Sequence, residues 1–192
     1  MRRGPFIALL AGAISVAAAV VTVAVTAAGS GPRLLVAGEA SPALREIADN
    51  TWEEFLVYFA ERSACIDDVT LRRVWQLDDR AKYQPEERTI LLRVPASPVQ
   101  IMETLTHEFA HHLEATCPEQ AALRPAFLEA QDFAAGTEWF DVDQWEHRPS
   151  EHFAETVTEL VLGTDRFNRL RITVSGEAKD VIEGWATHPT SP

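Results

Sequence analysis

The sequence predicts an α+β domain, mainly helical with one small antiparallel sheet or hairpin, following an N-terminal export helix. Three observations predict it. Apolar residues recur at helical spacing over several long stretches after residue 41. Period-two patterning is confined to two short stretches near residues 69–77 and 88–94. An uninterrupted apolar run opens the chain. At 192 residues, 46% of them hydrophobic and 24% charged, the chain suits one domain with a real core.

The opening "MRRGPFIALLAGAISVAAAVVTVAVTAAGSGP" places Arg2 and Arg3 before an uncharged run from Phe6 to Ala28. Residues 1–31 read as an export segment of one of two kinds. "VTA", ending at Ala27, offers the small residues of a signal-peptide cleavage site, whereas the length of the run suffices for a membrane anchor. In both cases the positive end stays cytoplasmic and the domain, residues 32–192, is extracytoplasmic. Its only expected membrane contact is through the N-terminal segment. The formal charge is −12, and Arg2 and Arg3 are the only basic residues of the first thirty, so the domain itself is more acidic still. That balance argues against nucleic acid and anionic lipid surfaces as partners. Export also decides how the only two cysteines, Cys65 and Cys117, are read, because an oxidising compartment favours a disulfide between them.

The elements follow in order. "SPALREIADNTWEEFLVYFAERSAC" has Ser41 as N-cap and Pro42 in the first turn, with Leu44, Ile47, Ala48, Phe55 and Phe59 at helical spacing. "VTLRRVWQL" and "RTILLRVP" read as two strands joined by the polar "DDRAKYQPEE" in a long hairpin. Pro95 and Pro98 end the second strand, and a helix follows to about Ala115. "PEQAALRPAFLEAQDF" is a further helix interrupted by Pro125. "AAGTEWFDVDQWEHR" has no period and reads as a loop, whose Trp139, Phe140 and Trp145 either line a pocket or pin the loop to the core. Pro149 opens a helix that stops at Gly163, "LRITVS" is extended, and Ser175 caps a last helix through Trp185.

The stretch "THEFAHHLE", residues 106–114, carries the chemistry. At about 100° per residue, Ile101, Met102, Leu105, Phe109 and Leu113 share one apolar face. His107, Glu108 and His111 lie on the other side, with the imidazoles one turn apart, while His112 borders the apolar stripe and reads as a packed histidine. Two neutral imidazoles at i and i+4 can hold Zn²⁺, and the glutamate beside the first can reach the water that the metal activates. Glu114 and Cys117 stand where a metzincin would carry glycine and histidine, so that ligand pattern is absent. A third ligand is available on "RPSEHFAETVTELVLG". Phe153, Ala154, Val157, Leu160 and Val161 make its apolar face, and Glu151 and Glu155 point the other way, one turn apart. Two such carboxylates suit a ligand and a supporting acceptor, or simply a helix N-terminus decorated with acids.

"HEFAHH" followed by "SEHFAE" resembles the gluzincins, zinc metallopeptidases whose third ligand is a glutamate on a second helix. The second motif is similar to that of the lethal-factor catalytic domain and of the single-domain minigluzincins. The likeness covers these two helices, and the 88–94 strand corresponds to the edge strand beside the cleft of such enzymes. It implies a minimal zincin-like domain with Zn²⁺ held by His107, His111 and Glu151. Glu108 is then the general base, and Glu155 hydrogen-bonds a liganding imidazole, His107. The reaction implied is hydrolysis of a peptide or protein substrate by an exported endopeptidase, the peptide pairing beside the 88–94 strand. Gluzincins also place a Tyr, His or Arg to stabilise the oxyanion. Tyr58 and Tyr83 lie outside the expected region, which leaves His147 and Arg148 as candidates. Two other readings stand beside this one: a zinc-containing binding or sensor domain without turnover, and a structural domain whose three candidate ligands lie apart.

Overall fold

The computed structural model describes residues 31–140, 144–163 and 172–188. The chain divides between Ser30 and Gly31, and the segment expected to direct export lies, up to Ser30, outside the described residues. Among the described residues no helix is long and apolar enough to cross a membrane. The elements are β1 (Leu34–Ala37), α1 (Pro42–Tyr58), β2 (Val69–Val74), β3 (Ala81–Gln84), β4 (Thr89–Arg93), α2 (Pro98–Thr116), α3 (Gln120–Ala130), α4 (Pro149–Leu162) and α5 (Gly176–Thr187). This is the mainly helical α+β domain with one small sheet that the sequence predicts.

The caps are largely those read from the sequence. Ser41 accepts from the Leu44 N–H and Ser175 from the Ala178 N–H, satisfying donors the first turn leaves orphaned. Ser97 and Gln100 form a reciprocal capping box at the start of α2. Pro149 opens α4, and Gly163 ends it with φ 81°, a conformation that favours glycine.

The sheet corrects the expected hairpin. Its order is β1-β2-β4-β3, with β1, β2 and β4 parallel and only β3 antiparallel, at an edge. Residues 69–74 and 89–93 therefore pair side by side in parallel, Leu71 opposite Ile90, and are not the two arms of a hairpin. The hairpin is the short one between β3 and β4, turned through Pro85–Glu87 and Arg88, which sits in the left-handed region at φ 47°. The supposed polar linker hides β3 because only Ala81 and Tyr83 point inward, alternating with exposed Lys82 and half-buried Gln84. Two inward residues are too few to register as a period. The 88–94 strand is consequently interior, and the free edge near α2 belongs to β3. Ile172–Ser175 lacks regular structure, and the rest of "LRITVS" lies outside the described residues.

α2 is the central element, packing against α1, α3, α4 and β3. Its apolar side is filled by Trp52, Phe55 and Phe109, with Phe109 edge-on to Trp52 at 4.8 Å between ring centroids. α4 adds Phe153, Ala154 and Val157 to the core, all fully buried. Two ties hold the C-terminal end of α2. The Cys65–Cys117 disulfide joins it to the 3-10 turn after α1. In that turn Arg62, buried, donates to the Trp185 carbonyl at the end of α5 and to Glu119. A cation there satisfies otherwise orphaned carbonyls at the negative end of the helix dipole.

The disulfide closes a loop of 52 residues, worth about 4 kcal/mol on the chain-entropy model. Replacing both Cys65 and Cys117 by serine should lower the urea-unfolding free energy by roughly that amount. A loss of under about 1 kcal/mol would show that the cross-link constrains little of the unfolded chain.

Candidate metal centre

α2 and α4 pack so that the side of α2 opposite its apolar face meets the first turns of α4. That side is no wet surface. Glu108 is 7% exposed, and the side chains of His107 and His111 are 15% and 17% exposed. His107 Nε2 lies 3.1 Å from Glu151 Oε2, His111 Nε2 lies 3.6 Å from the same oxygen, and the two Nε2 atoms are 3.2 Å apart. The structure thus brings together the three residues expected as ligands, and the reading in which they lie apart is excluded.

The distances can be tested against an ion. Zinc takes nitrogen and oxygen ligands at about 2.0–2.1 Å in a tetrahedron, whose donor-to-donor edge is then about 3.3 Å. The three observed edges of 3.1, 3.2 and 3.6 Å bracket that value. Two imidazole nitrogens and one carboxylate oxygen facing a common point, with one tetrahedral position left over, fit such an ion chemically as well. The reduced counterpart of Cys65, Cys117 and Glu119 would form another close group, but the disulfide consumes both sulfurs.

Around the triad, each remaining candidate has a definite place. Glu108 accepts the Tyr83 N–H at 2.7 Å through Oε2, so β3 holds the carboxylate beside the two histidines. Burial pushes the Glu108 carboxyl above its ordinary range, against the opposing pull of His107, His111 and the Tyr83 N–H. Glu155, 2% exposed, has Oε2 4.0 Å from His107 Nδ1, adjacent but beyond direct hydrogen-bond length. His107 Nδ1 is itself buried with no hydrogen-bond partner. Arg148 reaches the cluster, with Nη1 3.6 Å from Glu151 Oε1. His147 is exposed, and no contact joins it to the triad; it disfavours the cation of His152, which burial already holds down. His112 is the packed histidine expected, fully buried between the Tyr83 hydroxyl and the Asp67 carbonyl at 2.9 Å each.

Two contacts were not read from the sequence. Glu114 Oε2 lies 2.8 Å from His111 Nδ1, and Trp139 Nε1 donates to Glu114 Oε1 at 2.8 Å. The signal for Glu114 was its i+3 spacing from His111, which puts both on one side of the helix. Of the three loop aromatics, Trp139 is buried and pins the loop to the core, while Phe140 and Trp145 are 56% and 41% exposed. An open depression of about 550 Å³ lined by Glu53, Glu54, Val57, Tyr58 and Val161 shares no residue with this cluster.

The charges of the cluster compensate one another. Burial opposes a cation at His111, but hydrogen bonds to Glu114 and Glu151 outweigh it and hold the imidazolium well above its ordinary pKa. Burial likewise opposes the Glu151 anion, and the two histidines overcome it, placing that carboxyl far below its ordinary range. The His111 contribution to stability is complete below the ordinary imidazole pKa and is lost as pH rises through the raised value. The Glu151 contribution is present above the ordinary carboxyl pKa and is lost as pH falls through the lowered one. A metal bound by the triad would have to displace a proton from His111. Binding at neutral pH should therefore release about one proton and weaken as pH falls. Calorimetry in two buffers of different ionisation enthalpy measures this, and a buffer-independent heat would contradict it.

Compared with known protein families, curated proteins and solved structures, the chain matches none.

Proposed function

We propose that the protein is an exported zinc-dependent endopeptidase of minimal gluzincin type. The observation that carries this reading is the convergence of His107, His111 and Glu151 at tetrahedral edge lengths, with Glu108 alongside. The N-terminal apolar run and the disulfide favour an extracytoplasmic site of action.

Zinc held by the three ligands would supply Lewis acidity, polarising a carbonyl and bringing the pKa of a water towards neutrality. Glu108 takes the proton of the attacking water and passes it to the departing amine nitrogen. Its burial suits this work, because a carboxyl raised above its usual range is a better proton acceptor near neutral pH. The Tyr83 N–H fixes one carboxylate oxygen and leaves the other to face the substrate. Arg148 is the better placed of the two oxyanion candidates, standing beside Glu151, whereas His147 faces solvent.

A peptide substrate would pair its main chain along β3. Arg93 N–H donates to the Arg80 carbonyl and Ala81 stands opposite Leu92, so the main-chain groups of Ala81 and Tyr83 face away from β4. Glu108 takes the Tyr83 N–H, which leaves the Ala81 N–H and both carbonyls for the added strand.

The second reading, a zinc-containing binding or sensor domain without turnover, is favoured by one observation: the Tyr83 hydroxyl is committed to His112 and so cannot serve as an oxyanion donor. Digestion of unfolded-protein and peptide-library substrates by the zinc-loaded protein, beside a chelated control, separates the two. Under the peptidase reading, Glu108→Gln lowers the cleavage rate at least about 100-fold while zinc stays bound. Undiminished cleavage by that variant would remove Glu108 as the base, and no cleavage by the parent protein would favour the binding domain.

A further inference from the structure

Glu114 and Trp139 touch no reacting atom in the proposed hydrolysis, yet their geometry is tightly determined. The side chain of Glu114 is 2% exposed and both its oxygens are engaged, Oε2 with His111 Nδ1 and Oε1 with the Trp139 indole N–H. Fixing both oxygens fixes the plane of the carboxylate and, with it, the rotation of the His111 ring. A carboxylate only accepts, so Nδ1 keeps its proton, and the proton a metal would displace is the one on Nε2, which faces the triad. His107 lacks this support: its Nδ1 has no hydrogen-bond partner, and Glu155 Oε2 lies 4.0 Å away.

Trp139 is held in turn. Its ring packs between Phe127 of α3 and Phe153 of α4, at 5.6 and 6.0 Å between centroids. The Arg124 guanidinium lies over it at 5.0 Å. The Trp139 carbonyl accepts the Ser150 N–H at 3.2 Å, one residue before Glu151. One residue therefore touches both halves of the site: its indole steadies the carboxylate behind His111, and its main chain steadies the turn that presents Glu151.

We propose that Glu114 is the positioning carboxylate of His111, and that Trp139 couples it to the helix carrying Glu151, so that metal affinity depends on a residue remote from the ion. This rests on the reading that the triad binds zinc. The test is the zinc dissociation constant of the full-length protein, measured by competition with a chromophoric chelator, with thermal unfolding of each metal-free variant as the control for folding. Glu114→Gln turns an amide N–H toward Nδ1, favours the wrong tautomer, and should weaken zinc binding about 10- to 100-fold. Trp139→Phe keeps a ring in place but removes the N–H, and should weaken binding about tenfold. The double variant should be no weaker than Glu114→Gln by more than about twofold, because both changes act through one bond.

A purely structural role would lower the unfolding temperature and leave the zinc constant of the folded variants unchanged, which would overturn the proposal. Multiplying effects in the double variant would overturn the coupling through Trp139. If Glu114→Gln does not fold, Trp139→Phe decides alone: binding within twofold of the parent overturns the proposal. A folded parent that binds no zinc would overturn the metal reading and this proposal with it, whereas a zinc-binding parent with unaffected variants would overturn only the proposal.

Discussion

The packing of α2 against α4 is the constraint on which the site depends, because it buries acids and imidazoles from two helices in one place. Glu108, Glu114 and Glu155 are each under a tenth exposed, with His107, His111 and Glu151 only slightly more open. Taking charged groups out of water costs several kcal/mol apiece unless they are paired and hydrogen-bonded. A fold held only by apolar contacts would gain by replacing them. Here His111 pairs with Glu151, Glu108 leans on a strand amide, and Glu114 is clamped at both oxygens. The apolar faces of the two helices, through Phe109 and Phe153, supply the burial that keeps the polar side shut.

Within that frame the sheet does more than fill one side. Its edge strand supplies the Tyr83 N–H to Glu108 and the Tyr83 hydroxyl to His112, so one residue of β3 grips two consecutive turns of α2. The disulfide and Arg62 hold the far end of the same helix against α1 and α5. The helix that carries two candidate ligands is thereby fixed along its second half and at its C-terminal end, next to the ligands, as a preorganised site requires.

Much of this was legible in the sequence. The period of α2 placed His107, Glu108 and His111 together, the period of α4 placed Glu151 toward them, and Ser41, Pro149, Gly163 and Ser175 marked helix ends correctly. What stayed hidden was hidden for physical reasons. β3 is four residues long, too short for its alternation to rise above a polar linker, and missing it turned a parallel pair into a hairpin and an interior strand into an edge. The support of His111 lay in plain view at i+3, but its Trp139 partner is 25 residues away, and no local pattern announces such a contact. Glu155 was assigned to His107 from helix spacing and from the resemblance to gluzincins, which set a helix face but not the last ångström between Oε2 and Nδ1.

The most direct measurement is X-ray absorption at the zinc edge of the zinc-loaded protein. Two imidazole nitrogens and a carboxylate oxygen at about 2.0–2.1 Å, with no sulfur, are the shell that His107, His111 and Glu151 would give. Fewer than two imidazoles, or sulfur at about 2.3 Å, would mean that zinc sits elsewhere and that the triad is only a buried, charge-balanced contact between two helices.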